Sequence, residues 1–591
     1  MLKDVIRIFE KEYVDGSKPD NQDFYITREH IPADGEYWII GETESGFEVV
    51  DKLKIKYDKK KKTLEITNPH FDFIQYADYM SRYLESNKAI GDKNIHSNNY
   101  MTLFMKKENL FNGKITEETL TNYYEVFKEP YKKKYSKPQL RKAFELLEDK
   151  YGKANVDRIV KIEEWVKENL FQFDVEADKS YLKLFFLYDT EEYKKESEKY
   201  ILANIYNSAD YNTLIEDKLY GVPNNNMGLN SKKPFLEQKS RKNASPILLS
   251  QEEVLLQKKF FDYLNNMATK GHVNLYFGEE KVQSFDNQGT PESKFSGYFL
   301  RIQKGMEPEI HDFDVITSFN NEIRPVYIKN VLRIKQSDLE YGSIHKLSNL
   351  KDIINSVLFK KFLTTNFFTE PGDISIYDEG LKKNLLLARR TLFNWFYKGI
   401  DDAVWDVLKK CSLDLIKGSI YRGELWKDGG RACEQFNLYI SLKYYFERRE
   451  LMNNSILDVD KLREKVNQVT TGRIESDEEF YFAAGQLANY FLTLSKAKVK
   501  SHFLSKPILT AKTSEKIKEE LKKLYHKYSY DIKFARRFNN LYAMVCLYTG
   551  GNTKIDEDAL LAGYLHSSLI YEAKKETDVD KITMDEEKDQ D

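Results

Sequence analysis

The 591-residue sequence predicts an α+β protein with a mixed α/β N-terminal part, a mainly helical region and a C-terminal bundle of the four-helix type. Short β-type runs near the N-terminus, long stretches with helical spacing of apolar residues, and four well-bounded helical segments at the C-terminus support this prediction. We therefore expect domains over residues 1–250, 251–451 and 452–591.

The N-terminal part combines strand and helix patterns. Three runs between residues 36 and 66, the last at 63–66, carry the β-branched and aromatic residues typical of strands, and a helical run follows at 70–86. The pattern from 115 to 220 is mainly helical, whereas 221–246 is rich in Gly, Asn and Pro. Such a composition predicts a long loop at the end of this domain.

The middle region begins with a helical run at 251–268. Short β-type runs follow between 272 and 334, including 273–277 and 297–302, and residues 346–451 return to helical spacing. This region is therefore expected to be mixed at first and then mainly helical.

The C-terminal segment predicts four helices with short connections, the arrangement of an antiparallel bundle. Ser476 and Glu479 form a capping-box pattern before the first helix, and Asp556 can cap the fourth.

Gly485 and Gly563 lie inside helices, where each glycine destabilises the helix by about 1 kcal/mol relative to alanine. We expect close helix contact to compensate. The apolar face of the third helix is expected to contain Phe534, Phe538, Leu541 and Val545.

Composition excludes several protein classes. The chain is 41% hydrophobic and 31% charged, with no apolar run of the roughly 18 residues that a membrane span needs. Charged residues interrupt the N-terminus, which does not resemble a secretory signal. The three cysteines form no CxxC pair, which fits a reducing compartment and argues against structural zinc. We expect a cytoplasmic protein with no membrane partner, metal or cofactor.

Charge is strongly segregated along a chain whose net charge is only −2. Residues 496–540 carry 13 basic and 4 acidic side chains, a balance of +9 over 45 residues. Such a face can neutralise phosphates without reading sequence. A solvated helix face is the alternative interpretation. The candidate nucleic-acid contacts here are Lys496, Lys500, Lys523, Lys527, Arg536 and Arg537.

Two further polar segments are candidates for nucleic-acid contacts. In the segment 87–100 the side chains suit phosphate, sugar and base-edge contacts, although a self-satisfied polar turn explains them equally well. In the loop 221–243 asparagines can read adenine edges and lysines can contact guanine or phosphate, with a plain surface loop as the alternative. The candidates are Lys88, Lys93, Asn98 and Asn99 in the first segment, and Asn225, Asn226, Asn230, Lys232, Lys233 and Arg241 in the second.

Catalytic patterns are scarce. The sequence has no P-loop, no GxSxG elbow and no HExxH spacing. His311 and Asp312, with Asp314 nearby, offer a minimal start for a metal site, but such a site needs more ligands and a supporting shell. We therefore predict no enzyme activity and no catalytic residue. A metal-dependent nuclease centred on His311 and Asp312 is the alternative.

Several segments carry a family resemblance. Residues 87–107, which begin Asn-Lys-Ala-Ile-Gly-Asp, and the C-terminal segments 484–490, 537–541 and 559–564 resemble the large subunit of type I-B CRISPR surveillance complexes, known as Cascade. The loop at 229–236 is also similar to that family. The resemblance covers most of the chain in the same order, and it is most specific at the two ends.

The resemblance implies a non-catalytic DNA-targeting role. In this family the N-terminal part lies near the guide RNA handle, contacts the protospacer-adjacent motif and helps to start unwinding, while the helical part supports the displaced strand. Sequence specificity otherwise resides in guide pairing. On this chain the basic stretch becomes the strand-supporting face, the 221–243 loop the candidate for adjacent-motif contact, and the 87–100 segment a face toward the handle or a neighbouring subunit. The implied partners are the CRISPR guide RNA, the target double-stranded DNA with its displaced strand, the Cascade backbone and handle-binding subunits, the small subunit and the helicase-nuclease.

The resemblance also implies a second product. In this family the C-terminal part can be made separately, as a small subunit, from an internal start. Met452 is the only methionine between Met306 and Met544, and it opens the predicted bundle. Consecutive codons for Arg448 and Arg449 can read as a ribosome-binding sequence at suitable spacing. We therefore predict an internal start at Met452.

Overall fold

A computed structural model describes residues 2–19, 21–58, 60–64, 66–206, 212–216, 218–223, 248–305, 308–425, 430–448, 458–497, 501–550 and 554–571. The chain divides into two compact units, the first formed by 1–289 with 296–317 and the second by 290–295 with 318–591. Sheets are concentrated in the first unit and helices in the second, so the α+β prediction is confirmed. None of the helices in the described ranges is long and apolar enough to cross a membrane.

The first unit mixes both kinds of element. Its helices are α1 (Leu2–Asp15), α2 (Phe24–Thr27), α3 (Phe71–Ser81), α4 (Lys107–Phe111), α5 (Glu117–Lys128), α6 (Pro138–Tyr151), α7 (Val156–Asn169), α8 (Thr190–Asn204) and α9 (Gln251–Lys270). Its strands are β1 (Gly35–Thr43), β2 (Gly46–Ile55), β3 (Thr102–Lys106), β4 (Tyr181–Phe186), β5 (Thr213–Ile215), β6 (Lys218–Gly221), β7 (Leu249–Ser250), β8 (Asn274–Phe277), β9 (Val282–Phe285), β10 (Phe295–Lys304) and β11 (Pro308–Phe319).

Two four-stranded sheets organise this unit. The first has the order β2-β1-β4-β3, in which β1 and β2 form an antiparallel hairpin and β1 runs parallel to β4. The parallel pairing requires a long crossover, which the intervening helices provide. The second sheet has the order β11-β10-β8-β9. Strands β8 and β10 confirm the β-type runs predicted at 273–277 and 297–302.

Helix α9 joins the middle of the chain to the N-terminal core. Its Phe260 ring lies 5.4 Å from the ring of Phe9 in α1, and Tyr263 stacks on Tyr25 in α2 at 5.5 Å. Leu275 of β8 and Leu300 of β10 belong to the same buried cluster. The expected domain boundary at residue 250 therefore falls inside one continuous core.

The second unit is mainly helical. Its elements are β12 (Glu322–Ile328), β13 (Gly342–Lys346), α10 (Leu347–Val357), α11 (Glu379–Lys398), α12 (Val404–Tyr421), α13 (Arg431–Glu447), α14 (Val459–Asn467), α15 (Asp477–Thr493), α16 (Lys506–Leu509), α17 (Ser514–Tyr528), α18 (Arg536–Leu547) and α19 (Glu557–Leu565).

The expected boundary at 451 also falls inside a core. Phe436 and Ile440 of α13 belong to the same buried cluster as the apolar residues of α15 to α19. Tyr439 donates a hydrogen bond to Asp558 of α19 at 2.9 Å, and Lys443 donates to the same carboxylate at 2.5 Å. The C-terminal helices are therefore built onto α13 as well as onto one another.

Some predicted elements differ from the structure. Among the described residues near the predicted third strand at 63–66, the pairing is an isolated bridge between Asp58 and Thr63. Strand β4 lies inside the stretch predicted as mainly helical, because a short apolar run does not distinguish a buried strand from a helix. The helical stretch from 346 to 451 is interrupted between α10 and α11, where Pro371 lies.

Candidate nucleic-acid interface

Helix α15 is the centre of the C-terminal bundle. Every residue from Glu479 to Ala488 is buried, so this part of the helix is surrounded on all sides. Its partner is α19. A Cβ atom added at Gly485 would lie 2.6 Å from the backbone nitrogen of Tyr564, and one added at Gly563 would lie 2.7 Å from the Cα of Phe482. The expected close contact at both glycines is confirmed.

Local signals fix the ends of these helices. The Ser476 hydroxyl accepts a hydrogen bond from the Glu479 backbone nitrogen at 3.1 Å, and Asp556 caps α19 by accepting from Ala559 at 2.9 Å. Only half of the expected capping box forms. The Glu479 carboxylate instead binds Lys465 of α14, with 2.8 Å from the ammonium to each oxygen.

Part of the basic stretch is paired within the bundle. Lys516 lies 3.2 and 3.1 Å from Glu519 and Glu520, and Lys523 lies 2.7 Å from Glu520. Arg537 donates to the Asn467 side chain at 2.6 Å and so joins α18 to α14. These side chains have structural partners, which reduces the positive charge that they offer to an external ligand.

A second set of cations has no such partner. Within the described residues, Lys522, Lys527, Lys533 and Arg536 are exposed and form no ion pair. Three of them lie where α17 ends and α18 begins. No side chain caps the N-terminus of α18, so its partial positive charge adds to that of Arg536. Lys500 lies outside the described residues.

Aromatic rings accompany these cations. Phe534 packs edge-on against Phe538 at 6.4 Å, Phe538 lies 5.1 Å from Tyr490, and Tyr490 lies 5.6 Å from Tyr571. The middle rings of this row are buried, while its ends, Phe534 and Tyr571, are exposed. We call the surface formed by Lys496, Lys527, Tyr530, Lys533, Phe534, Arg536 and Tyr571 the basic–aromatic corner.

Two details of the corner differ from the sequence prediction. Phe534 was expected on the apolar face of the third helix, but α18 begins only at Arg536 and the Phe534 side chain is largely exposed. Lys496 bonds Asp531 at 2.8 Å and also lies 5.2 Å from the Tyr530 ring centre. The charge count located the region, but only the fold separates its paired cations from its unpaired ones.

The 87–100 segment is mostly internal. Asn98 and Asn99 are fully buried and donate to the backbone oxygens of Arg82 and Tyr193. Lys88 is half-buried and donates to the Tyr206 carbonyl at 3.1 Å, and burial lowers its pKa. Asn98 and Asn99 are corrected as candidates, because both are buried and their side-chain amides donate to the backbone, as the polar-turn alternative requires. Lys88 keeps an exposed part and stays a prediction. Lys93 alone among the four is exposed.

Other predicted positions lie outside the described residues. These are Asn225, Asn226, Asn230, Lys232, Lys233 and Arg241 of the loop, and Met452 at the predicted internal start.

The residues of the alternative nuclease site lie on a single strand. His311, Asp312 and Asp314 all lie on β11, where successive side chains point to opposite faces, so His311 and Asp312 are directed apart. The His311 ring lies 3.3 Å from Glu309 on its own side of the strand. In the ranges that the structure covers, no group of three or more His, Cys, Asp or Glu side chains is placed to hold a metal ion.

A buried ionic cluster in the first unit was not predicted. The Asp78 carboxylate of α3 forms a hydrogen bond with the His30 ring at 2.8 Å, and it accepts a second hydrogen bond from the Lys183 ammonium of β4. Burial lowers the pKa of His30 to about 4, despite the opposing hydrogen bond from Asp78. Burial acts to raise the pKa of Asp78, but Lys183 and His30 outweigh it and hold that pKa below its usual value. The cluster is fully enclosed, which indicates a structural role.

No protein-family model, curated protein sequence or solved structure matches this chain.

Proposed function

We propose that this chain is the large subunit of a type I-B CRISPR surveillance complex and has no catalytic activity of its own. The observation that carries the proposal is the basic–aromatic corner, whose unpaired cations are concentrated on one exposed part of the C-terminal helices. When lysine and arginine side chains without acidic partners bind phosphates, counterions are released from the nucleic acid, and this release favours binding. The sequence resemblance at 87–107 and in the C-terminal segments supplies the identity of the complex.

The two units would then make different contacts with nucleic acid and partner subunits. The corner would support the displaced DNA strand, and the loop with Asn225 to Arg241 would contact the adjacent motif. Lys88 and Lys93 remain candidates of the N-terminal segment for contacts with the guide RNA handle or a neighbouring subunit. The complex would act in the cytoplasm with its backbone and handle-binding subunits, the small subunit and the helicase-nuclease. Specificity for the target would come from guide pairing rather than from this surface.

Neutralising the unpaired cations tests this proposal. In the assembled complex, the double variant Lys527→Gln/Arg536→Gln should bind target DNA more weakly. The log–log salt dependence of binding should become shallower by roughly 0.7 for each single-strand phosphate that the variant no longer neutralises. Affinity measured across a salt series gives both quantities.

Lys516 provides the matched control, because Glu519 and Glu520 already neutralise it. Lys516→Gln should change affinity and salt dependence little. The proposal is contradicted if the double variant binds with unchanged affinity and slope, or if Lys516→Gln has an equal effect.

A further inference from the structure

Three aromatic side chains at the basic–aromatic corner face solvent. Tyr530 is 70% exposed, Phe534 62% and Tyr571 51%. Scattered exposed apolar residues are normal on protein surfaces and need no explanation. Here the rings lie at the same corner as Lys527, Lys533 and Arg536. A ligand for this surface must therefore offer flat apolar groups to the rings and negative charge to the unpaired cations.

Two of the three rings pack against buried aromatic side chains. Phe534 rests against the buried Phe538, and Tyr571 rests against Tyr490, which is itself packed on Phe538. Tyr530 follows the end of α17, with the Lys496 ammonium 5.2 Å from its ring centre. Phe534 lies four positions after Tyr530 along the chain, so their Cα atoms are at most about 14 Å apart. A short stretch of extended polymer can therefore contact both rings.

We propose that Tyr530 and Phe534, with Tyr571 beside them, stack on unpaired bases, so that the corner selects single-stranded nucleic acid over duplex. Stacking tolerates any sequence, because every base has a π face, and the neighbouring cations follow the backbone. In a duplex the base faces are already covered by their neighbours and cannot meet the rings. This inference rests on the proposed function, in which the corner supports the displaced strand, and it assigns the contacts with the bases of that strand to the three rings.

The charge of the corner favours a nucleic acid over a protein as the occupant. The buried centres of protein interfaces are enriched in aromatic residues but depleted of lysine. At this corner Lys527 and Lys533 are unpaired within the described residues and lie beside the rings. A protein would have to leave these ammonium groups uncompensated or match them with acids, whereas a single strand supplies phosphates and bases together.

The test compares a fluorescently labelled oligothymidine strand with a duplex of equal length, both binding to the full chain. Tyr530→Ala/Phe534→Ala should weaken binding to the strand by roughly tenfold per ring, with an unchanged salt slope and little effect on the duplex. The conservative variant Tyr530→Phe/Phe534→Tyr keeps a ring at both positions and should bind the strand as tightly as the unsubstituted chain does. Both side chains are exposed, and thermal unfolding of each variant checks that the fold is intact.

Tyr377 provides the matched control, because its ring is fully exposed and no described cation contacts it. Tyr377→Ala should leave strand binding unchanged. The inference is overturned if the unsubstituted chain shows no preference for the strand, if strand and duplex binding weaken equally, or if the variant loses a partner protein while its DNA affinity is unchanged. Lys527→Gln/Arg536→Gln separates the two proposals. If this charge variant still weakens binding when the ring variant does not, only the stacking inference fails.

Discussion

Gly485 and Gly563 set the distance between α15 and α19 at the scale of single residues. Alanine at either position would collide with the backbone of the other helix, which cannot move aside as a flexible side chain can. We expect Gly485→Ala or Gly563→Ala to destabilise the second unit by about 1–3 kcal/mol, despite the better helix propensity of alanine. Chemical denaturation measures the change.

Gly418 in α12 is the control for this prediction. The nearest atom to a Cβ there is the end of the flexible Arg422 side chain, at 3.3 Å. Gly418→Ala should therefore stabilise the protein by roughly 0.5–1 kcal/mol through propensity alone. Loss of stability at Gly418 comparable to that at Gly485 would show that crowding between helices is not the cause.

His30 gives the first unit a dependence on pH. Burial lowers its pKa in the folded state to about 4, while the unfolded chain has the ordinary value of 6.5. Between these values the unfolded chain binds a proton that the folded chain excludes, so stability falls as pH decreases from 6.5 toward 4. When the pH is lowered from 7 to 5, the preferential protonation of His30 in the unfolded chain should therefore reduce the free energy of unfolding by about 2 kcal/mol.

Urea unfolding at these two pH values measures the effect. His30→Gln keeps a side chain that can donate a hydrogen bond but does not titrate, so its stability should depend less on pH than that of the unsubstituted protein. Equal pH dependence in the two proteins would exclude His30 as the source.

The candidate residues show how far sequence reasoning reaches at this scale. The charge count found the stretch from 496 to 540, because net charge requires no fold. It could not find that Lys516 and Lys523 are paired whereas Lys527 and Arg536 are not, since pairing depends on helix faces. The polarity of Asn98 and Asn99 suggested a ligand, but only the fold shows that backbone oxygens take their amide hydrogens.

At the scale of elements, α14 and α15 are joined by a buried ion pair. The Lys465 ammonium contacts both oxygens of Glu479, and both side chains are almost fully buried. Lys465→Met would leave the carboxylate without its counterion and should cost about 3 kcal/mol or more. The double variant Lys465→Met/Glu479→Leu removes both charges and should be much closer to the unsubstituted protein. Denaturation of the set checks this, and equal losses in the single and double variants would contradict it.

Elements with local signals were the predictable ones. Ser476 and Asp556 mark the starts of α15 and α19, and regular apolar spacing marks α9 and α17. Strand β4 was missed because its partners are distant in sequence, and its short apolar run is equally compatible with a buried helix. Phe534 was misplaced because helical spacing continues across the true start of α18.

At the scale of the whole molecule, the second unit bears on the predicted internal start at Met452. A product that begins there would lack α12 and α13, and with them the hydrogen bonds of Tyr439 and Lys443 to Asp558. We predict that the native gene yields this product, and that its newly exposed apolar surface makes it associate with itself or with other subunits. Silent recoding of the Arg448 and Arg449 codons should abolish the product while the full chain is retained. A native gene that yields no such fragment would contradict the prediction.

The two units also explain why the expected domain boundaries differ from the observed ones. Residues 250 and 451 mark changes in local pattern, but α9 and α13 each pack into a core that crosses the expected boundary. Local composition records where a pattern changes, whereas a unit is defined by which apolar faces bury one another. Fold class could therefore be predicted from the sequence, and the division into units could not.

The most direct test of the central proposal is duplex binding by the assembled guide-RNA complex with and without this chain, on targets with randomised flanking bases. We predict that adding the chain creates affinity that depends on a few bases beside the target. Affinity and flank preference that stay the same when the chain is added would contradict the proposed large-subunit function.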